Sequence, residues 1–262
     1  MKYIEYVSFD RPIMYKKLRL FPVKVKDYLQ FNIYSTALML DKNSVPDVNV
    51  ISMGYLQYLL YLAEQDFMNN PYIFWVDRLF GLCLPEDESF NNPEESIKRF
   101  LQNDKGKVSF IIDGELYNEN DFEEIKKIIC EQNLIELPDE NISKDVRDSL
   151  EAARRYKEKL SGSGKTGSFE DYMTSLAVTT GWSFEYIYEL TIRKFINSIR
   201  RLDNLIHYKI YLASSMSGMV EFKDKSFIKH WLTDLSTRDN YSDVSMDLDV
   251  MQNKISMESA KQ

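Results

Sequence analysis

The distribution of proline is the feature of this sequence that most constrains its fold. All seven prolines lie within the first 138 residues, and Pro138 is the last of them. Proline removes a backbone hydrogen-bond donor and breaks the interior of a helix, so its absence after Pro138 permits long helices there. Glycine, which also weakens helices, occurs only nine times in the chain. We therefore expect long helices in the second half of the chain.

The composition is that of a globular, acidic protein. The chain has 262 residues, of which 44% are hydrophobic and 28% are charged, enough to bury a sizeable core. A net charge of −8 disfavours nucleic acid as a partner, because the two would repel each other. Two cysteines, Cys83 and Cys130, form no disulfide framework and suit a reducing cytoplasm. Apolar runs such as Tyr72 to Leu84 are too short to span a membrane, so no membrane partner is expected.

The first hundred residues predict several helices after a mixed opening segment. Residues Met1 to Pro22 are strand-prone. A first helix is expected from Pro22 to about Met39, because proline suits the first helical position and apolar residues follow at helical spacing. Further helices are predicted from about Ser52 to Asp66, over Tyr72 to Leu84, and over Glu94 to Gln102.

A β-hairpin is predicted near residues 107–117. Val108, Phe110 and Ile112 alternate with other residues, and Asp113-Gly114 follows them directly. Asp-Gly between two extended runs is a strong local signal for a two-residue hairpin turn. Asn118 or Asn120 is expected to cap the next helix, because a side-chain oxygen can accept from free backbone N–H groups at a helix start.

The C-terminal part is predicted to consist of helices between a linker and a tail. Ser161 to Ser168 is rich in Gly and Ser, which favours a flexible linker. Ser168 and Ser183 are expected to start helices, and a long amphipathic helix should run from Phe195 to Leu212. A short final helix is predicted from Lys225 to Leu232.

These patterns together predict an α+β fold that is predominantly α-helical, with one β-hairpin near residues 107–117 and a helical C-terminal domain. The expected divisions of the chain are a mostly helical N-terminal region (1–105), a hairpin with helices (106–160), the linker (161–168), the C-terminal helical domain (169–235) and an acidic tail (236–262).

No pattern in the sequence predicts catalysis or cofactor binding. Gly164-Lys165-Thr166 resembles the end of a phosphate-binding loop, but Lys159 stands where that motif needs glycine. His207 and His230 have no Cys or His at metal-ligand spacing. The cysteines lie in apolar runs, which predicts buried thiols. We therefore expect a protein that is not an enzyme and that binds no metal or cofactor.

Two surfaces are candidate partner-binding sites. A basic stripe is expected on the long helix, because its cations recur seven residues apart; a solvated face is the commoner explanation of such a pattern, and docking of an acidic segment is the alternative. The acidic tail contains apolar residues spaced four, three and four apart, which would form a stripe in a helix, while Val244, Met246, Leu248 and Val250 alternate as in a strand. A segment that suits either structure favours ordering on a partner; an inert tail stays the alternative. The candidate residues are Arg193, Arg200 and Arg201, accompanied by Lys194 and Lys209, and Val244, Leu248, Met251 and Ile255.

Parts of the chain resemble a known family. The segment Tyr117 to Leu134, with Phe122-Glu123-Glu124-Ile125 and Gln132-Asn133, is similar to a hairpin-plus-helix of proteins encoded with the tail genes of contractile-tailed phages. Gly181 to Phe195, Ser215 to Lys223 and His230-Trp231 are similar to the C-terminal segment of those proteins. The resemblance spans roughly residues 107–235 and is to tail or baseplate-hub assembly chaperones.

The resemblance implies a non-enzymatic factor that binds phage tail, tape-measure or baseplate proteins during assembly, with self-association left open. Such a factor would work in the cytoplasm of the infected host. The alternative is a structural subunit of the tail or baseplate that is retained in the virion. An acidic protein rich in Tyr, Phe and Met can cover apolar surfaces of unassembled components and stay soluble, which agrees with the chaperone interpretation.

Overall fold

The computed structural model describes most of the chain and divides it into two compact units. The first unit is Met1–Glu140 with Ser175–Ser198, and the second is Asn141–Thr174 with Ile199–Gln262. The predicted class is confirmed: the described residues form an α+β, mainly helical protein. The residues described are 4–42, 47–66, 68–91, 99–102, 107–137, 146, 148–149, 152, 167–217 and 230–233.

The opening segment forms a short helix and a small hairpin. Helix α1 (Ile4–Ser8) precedes strands β1 (Ile13–Tyr15) and β2 (Leu18–Leu20), which pair antiparallel with Ile13 opposite Leu20. The strand-prone character of the segment is confirmed for β1 and β2, whose Ile13, Leu18 and Leu20 are buried. It is wrong for α1, where the sequence predicts no helix.

The predicted helix from Pro22 to Met39 is shorter and divided. A 3-10 turn (Val25–Asp27) leads into helix α2 (Tyr28–Ser35), and a second 3-10 turn (Thr36–Leu38) follows. Residues 23 to 25 stay out of the helix because their backbone donors have distant partners. The N–H of Val23 donates to Asn133 Oδ1 at 2.9 Å, and that of Val25 donates to the Leu190 carbonyl at 2.9 Å.

Three helices follow, of which the sequence pattern predicts the second and the third. Helix α3 (Val48–Ser52) is short, and helices α4 (Tyr55–Asp66) and α5 (Tyr72–Cys83) pack against each other. The helix predicted to start near Ser52 starts at Tyr55, with Met53 and Gly54 as the break between α3 and α4. Both α4 and α5 bury one side in the core of the first unit.

A three-stranded antiparallel sheet lies beyond a 3-10 turn at Glu88–Asn91. Its strands are β3 (Phe100–Gln102), β4 (Val108–Ile112) and β5 (Glu115–Asn118), in the order β3-β4-β5. The predicted hairpin is confirmed, and its turn has positive φ at Asp113 (49°) and Gly114 (72°). The helix predicted over Glu94 to Gln102 is wrong for 100–102, because Phe100 pairs with Phe110 across the sheet; residues 94–98 lie outside the described part.

Helix α6 (Glu119–Asn133) starts as the sequence predicts. Asn118 Oδ1 accepts from the N–H groups of Asn120 and Asp121, and the Asp121 carboxylate accepts from the Asn118 N–H, which completes a capping box. The helix buries an apolar stripe in the core. The rings of Phe80, Phe110 and Phe122 meet there, with centroids about 6 Å apart.

The remaining described helices are α7 (Phe169–Thr180), α8 (Phe184–Glu189) and α9 (Ile192–Met216). The predicted starts of α7 and α8 are confirmed, since Ser168 Oγ accepts from the Asp171 N–H and Ser183 Oγ from the Tyr186 N–H. The helix predicted up to Leu232 is wrong for its last residues, because 230–233 form a turn closed by Thr233 N–H and the His230 carbonyl. Residues 153–166, 225–229 and 236–262, which include most of the predicted linker and the whole predicted tail, lie outside the described part.

Candidate protein-binding surface

An exposed group of aromatic side chains surrounds helix α8 in the first unit. Phe184, Tyr186 and Tyr188 are 42%, 52% and 40% exposed, and Trp182 just before the helix is half-buried. Aromatic residues of this size dominate the energetics of protein interfaces, where they fill pockets on a partner. We call Trp182, Phe184, Tyr186 and Tyr188 the aromatic face.

The four rings form two pairs along the helix. The Trp182 and Tyr186 ring centroids lie 5.1 Å apart in an edge-to-face arrangement, with 70° between the ring planes. Phe184 and Tyr188 lie 6.4 Å apart and are nearly parallel, at 29°. Each pair is separated by four residues, the spacing that puts side chains on one side of a helix. Pairing restricts the rings before any partner arrives, which lowers the entropy lost on binding.

Local signals in the sequence position this helix. Gly181 has a φ of +75°, a left-handed conformation that suits glycine at the end of α7. Ser183 then caps α8, and the pKa of Glu185 in the first turn is lowered by a hydrogen bond from its own backbone N–H and by the Ser183 hydroxyl. Ile187 is the buried residue of α8, and the two ring pairs lie on opposite flanks of the helix beside it, because Phe184 and Tyr186 are two residues apart.

The backbone next to α8 is held by the N-terminal segment. The Val25 N–H donates to the Leu190 carbonyl, and the Ile192 N–H donates to the Val23 carbonyl, both at 2.9 Å. These bonds form an isolated antiparallel bridge between Lys24 and Thr191. The bridge joins residues more than 160 positions apart and fixes the C-terminal end of α8.

Ion pairs surround the bridge on the solvent side. The Glu189 carboxylate lies 2.6 Å from Lys24 Nζ and 3.1 Å from Lys26 Nζ, and these two lysines lower its pKa. Asp10 accepts from Thr191 Oγ1 at 3.0 Å and pairs with Lys194 Nζ at 2.6 Å. The three lysines and Glu189 are about half exposed, so these ion pairs contribute little to stability.

Two buried side-chain amides of helix α6 form hydrogen bonds with the N-terminal segment that makes this bridge. Asn133 is 1% exposed; its Oδ1 accepts from the Val23 N–H, and its Nδ2 donates to the Ile129 carbonyl at 2.9 Å. Gln132 Nε2 donates to the Leu20 carbonyl at 3.0 Å. Buried hydrogen bonds of this kind are costly to lose, so α6, the N-terminal segment and α8 hold one another in place.

The basic residues predicted to bind a partner lie on α9, and two of them make hydrogen bonds within the fold. Arg193 Nη1 donates to the Glu131 carbonyl at 2.7 Å within the first unit. In the second unit, Arg201 Nη1 donates to the carbonyls of Trp231 (2.8 Å) and Thr233 (2.6 Å). Arg200 is half-buried and has no ion pair among the described residues. The predicted apolar partners Val244, Leu248, Met251 and Ile255 lie outside the described residues.

The aromatic face was not predicted as a site from the sequence. Its signal is four aromatic residues within seven positions, at i, i+4 spacing, beside a serine cap. Sequence alone does not separate this pattern from a buried aromatic stripe, because both have helical spacing. The fold decides, since the bridge to residues 23–25 fixes α8 with Phe184, Tyr186 and Tyr188 partly exposed.

The cysteines are buried, as predicted. Both Cys83 and Cys130 are unpaired thiols in the core. Burial raises the pKa of Cys83 and raises that of Cys130 to about 12, so neither forms the thiolate needed for nucleophilic chemistry near neutral pH. Within the described residues, no group of three or more His, Cys, Asp or Glu side chains is placed to hold a metal ion.

Comparison with known proteins finds a family that matches the C-terminal part of the chain. Residues 162–236 match the family described as the YomV second domain, so less than a third of this chain is similar to that domain. The family is phage-derived, from the SPbeta prophage, which associates this chain with phage proteins. The aromatic face and the whole of α9 lie within the matched residues. No curated protein and no solved structure matches the chain, and no helix in its described part has the length and apolar character to cross a membrane.

Proposed function

We propose that this protein is a non-enzymatic binding factor in phage tail or baseplate assembly, and that the aromatic face contacts its partner. The observation that carries the proposal is the exposure of Phe184, Tyr186 and Tyr188 on a helix held by buried hydrogen bonds. Aromatic anchors on a fixed support are typical of protein-binding hot spots. The phage-derived family match over the same residues supports the biological setting.

The partner chemistry that fits is an apolar, helical surface of a tail, tape-measure or baseplate protein before assembly. Phe184 and Tyr188 offer ring area for apolar contact, and the Tyr hydroxyls offer hydrogen bonds at the edge. Glu185 lies between the two ring pairs, and Glu189 is paired with Lys24 and Lys26. A partner that carries a basic residue opposite Glu185 would therefore have complementary charge there.

Binding to the purified tail, tape-measure and baseplate proteins of the same phage tests the proposal. Phe184→Ala together with Tyr188→Ala should weaken binding by about 30-fold or more, as expected for hot-spot residues, where each tenfold corresponds to about 1.4 kcal/mol. Leu29→Ala, an exposed apolar position on α2, is the matched control and should leave the affinity unchanged. Equal affinity of the double variant and the native chain would contradict the proposal.

Mass spectrometry of purified mature particles separates the assembly factor from a structural subunit. An assembly factor is present in infected-cell lysate and absent from the particle. Stoichiometric presence in the particle would replace the assembly role by that of a retained tail or baseplate component.

A further inference from the structure

The second unit exposes an apolar face on the C-terminal half of α9. Ile206, Ile210 and Met216 are 45%, 54% and 76% exposed, although the helix is long and amphipathic. Ile206 and Ile210 are one helical turn apart, and Met216 lies nearer the C-terminus, about 80° around the helix from Ile206. We call these three residues the α9 apolar face. Adjacent exposed apolar side chains on a helix, unlike isolated ones, indicate a contact surface.

The C-terminal half of α9 has a net positive charge, in contrast to the acidic chain as a whole. Between Ile199 and Ser217 the helix carries Arg200, Arg201 and Lys209 against the single acidic residue Asp203. His207 Nδ1 lies 3.3 Å from Asp203 Oδ1, a contact that is an ion pair only when the imidazole is protonated. Among the described residues, neither Arg200 nor Lys209 forms an ion pair. An occupant with apolar residues between carboxylates therefore has complementary chemistry.

The chain returns to α9 immediately before its acidic tail. Arg201 Nη1 donates hydrogen bonds to the carbonyls of Trp231 and Thr233. The ring centroids of His230 and Tyr208 lie 5.2 Å apart. The residues after Thr233 therefore leave from a point fixed on the same helix. A segment tethered this close has a high effective concentration at the α9 apolar face, so even a weak contact is favoured.

We propose that the acidic tail, residues 236–262, docks on the α9 apolar face through Val244, Leu248 and Met251. The stretch 239–253 contains four aspartates and no cation. As a helix, Val244 to Ile255 would extend about 17 Å, similar to the roughly 15 Å from Ile206 to Met216. The eleven residues from Thr233 to Val244 can reach about 35 Å, enough to pass around a helix about 10–12 Å wide.

Charge favours the tail over a second copy of the chain as the occupant. Pairing two α9 helices would bring Arg200 and Lys209 of one copy near those of the other, and like charges at an interface oppose association. The tail instead brings Asp243 and Asp247 beside its apolar residues. This proposal concerns only the chain's own tail and does not depend on the proposed tail-assembly function.

Disulfide trapping in the full chain tests the contact. Ile210→Cys with Leu248→Cys should form an intrachain disulfide under mild oxidation, at a rate independent of protein concentration. The buried native thiols will not compete, because their pKa values are raised. The matched control is Val178→Cys with Leu248→Cys, at an exposed apolar position on α7, and it should react at least tenfold more slowly. Ile206→Cys with Met251→Cys is the second pair if circular dichroism shows that the first perturbs folding.

Lys209→Glu in the Ile210→Cys, Leu248→Cys background should slow disulfide formation several-fold, and raising the salt concentration should reduce that difference. Equal rates for the Ile210 and Val178 pairs would overturn the proposal, because the tail would then have no preferred site. A concentration-dependent dimer formed by Ile210→Cys alone would also overturn it, because the α9 apolar face would then bind a second copy.

Discussion

The carboxylate of Glu119 caps helix α4 from across the first unit, and Gly54 makes room for it. Glu119 Oε1 accepts from the Leu56 N–H at 2.7 Å, and Oε2 accepts from the Gln57 N–H at 3.3 Å. A Cβ atom at position 54 would lie 2.4 Å from Glu119 Cδ. The first residue of α6 therefore satisfies the free N–H groups at the start of a helix more than sixty residues earlier.

Gly54→Ala should destabilise the protein by about 1–3 kcal/mol, because the added methyl group displaces the capping carboxylate. Urea denaturation measures the free energy of unfolding. In a double-mutant cycle, Gly54→Ala should cost much less in a Glu119→Ala background, since the clash is then absent. Additive costs would show that Gly54 acts through something other than Glu119.

The stability of the protein should depend on the protonation of Glu119. Burial raises the pKa of Glu119 above its ordinary value of 4.5, more than the hydrogen bonds from Leu56 and Gln57 lower it. The folded state then holds this proton more tightly than the unfolded state, so the contribution of Glu119 to stability falls as pH rises from about 4.5. Glu119→Gln should flatten this part of the unfolding free energy between pH 4.5 and 7. An unchanged slope would assign the pH dependence to other groups.

Asn133 should matter more than Glu189 for holding the aromatic face. Asn133→Ala leaves the Val23 N–H without its buried partner, which should cost about 1–3 kcal/mol. Glu189→Gln disturbs only exposed ion pairs, and stability should change by less than about 0.5 kcal/mol. Hydrogen exchange at residues 184–192 should increase in Asn133→Ala and not in Glu189→Gln. The reverse order would mean that surface charge, not the buried amide, holds α8.

Removing one partner of the buried ion pair between Asp77 and Arg99 should lower the free energy of unfolding strongly. Replacing both partners by apolar residues should lower it much less. Arg99 Nε lies 2.7 Å from Asp77 Oδ1, both side chains are at least 95% buried, and the Arg99 guanidinium lies 4.1 Å from the centre of the Phe90 ring. Arg99→Met alone should cost about 3–5 kcal/mol, because it leaves a buried carboxylate without its charge partner. Asp77→Leu with Arg99→Met should recover much of that loss in chemical denaturation. A double variant as unstable as the single one would show that Arg99 is needed chiefly for its hydrogen bonds to Ser89.

Much of the local structure follows from the sequence, because its causes lie within a few residues. The Asp113-Gly114 turn requires positive φ, and Asp and Gly adopt it readily. Asn118, Ser168 and Ser183 cap helices that begin one residue later, through their own side-chain oxygens. The α+β, mainly helical class follows from the same signals. The expected roles of Arg193, Arg200, Arg201 and the tail stay predictions.

Contacts between distant segments decided the rest of the structure, because the free energy of such a contact depends on both segments and cannot be read from either one alone. Residues 23–25 leave the predicted helix because Asn133 and Leu190 offer their backbone donors better partners. Phe100 lies in a strand because β4 supplies an edge to pair with. Exposure of Phe184 and Tyr188 depends on the bridge between Lys24 and Thr191, which no local pattern reports. The sequence by itself therefore determined where turns and helices start, and the tertiary structure decided which apolar side chains are buried in the core and which remain exposed for a partner.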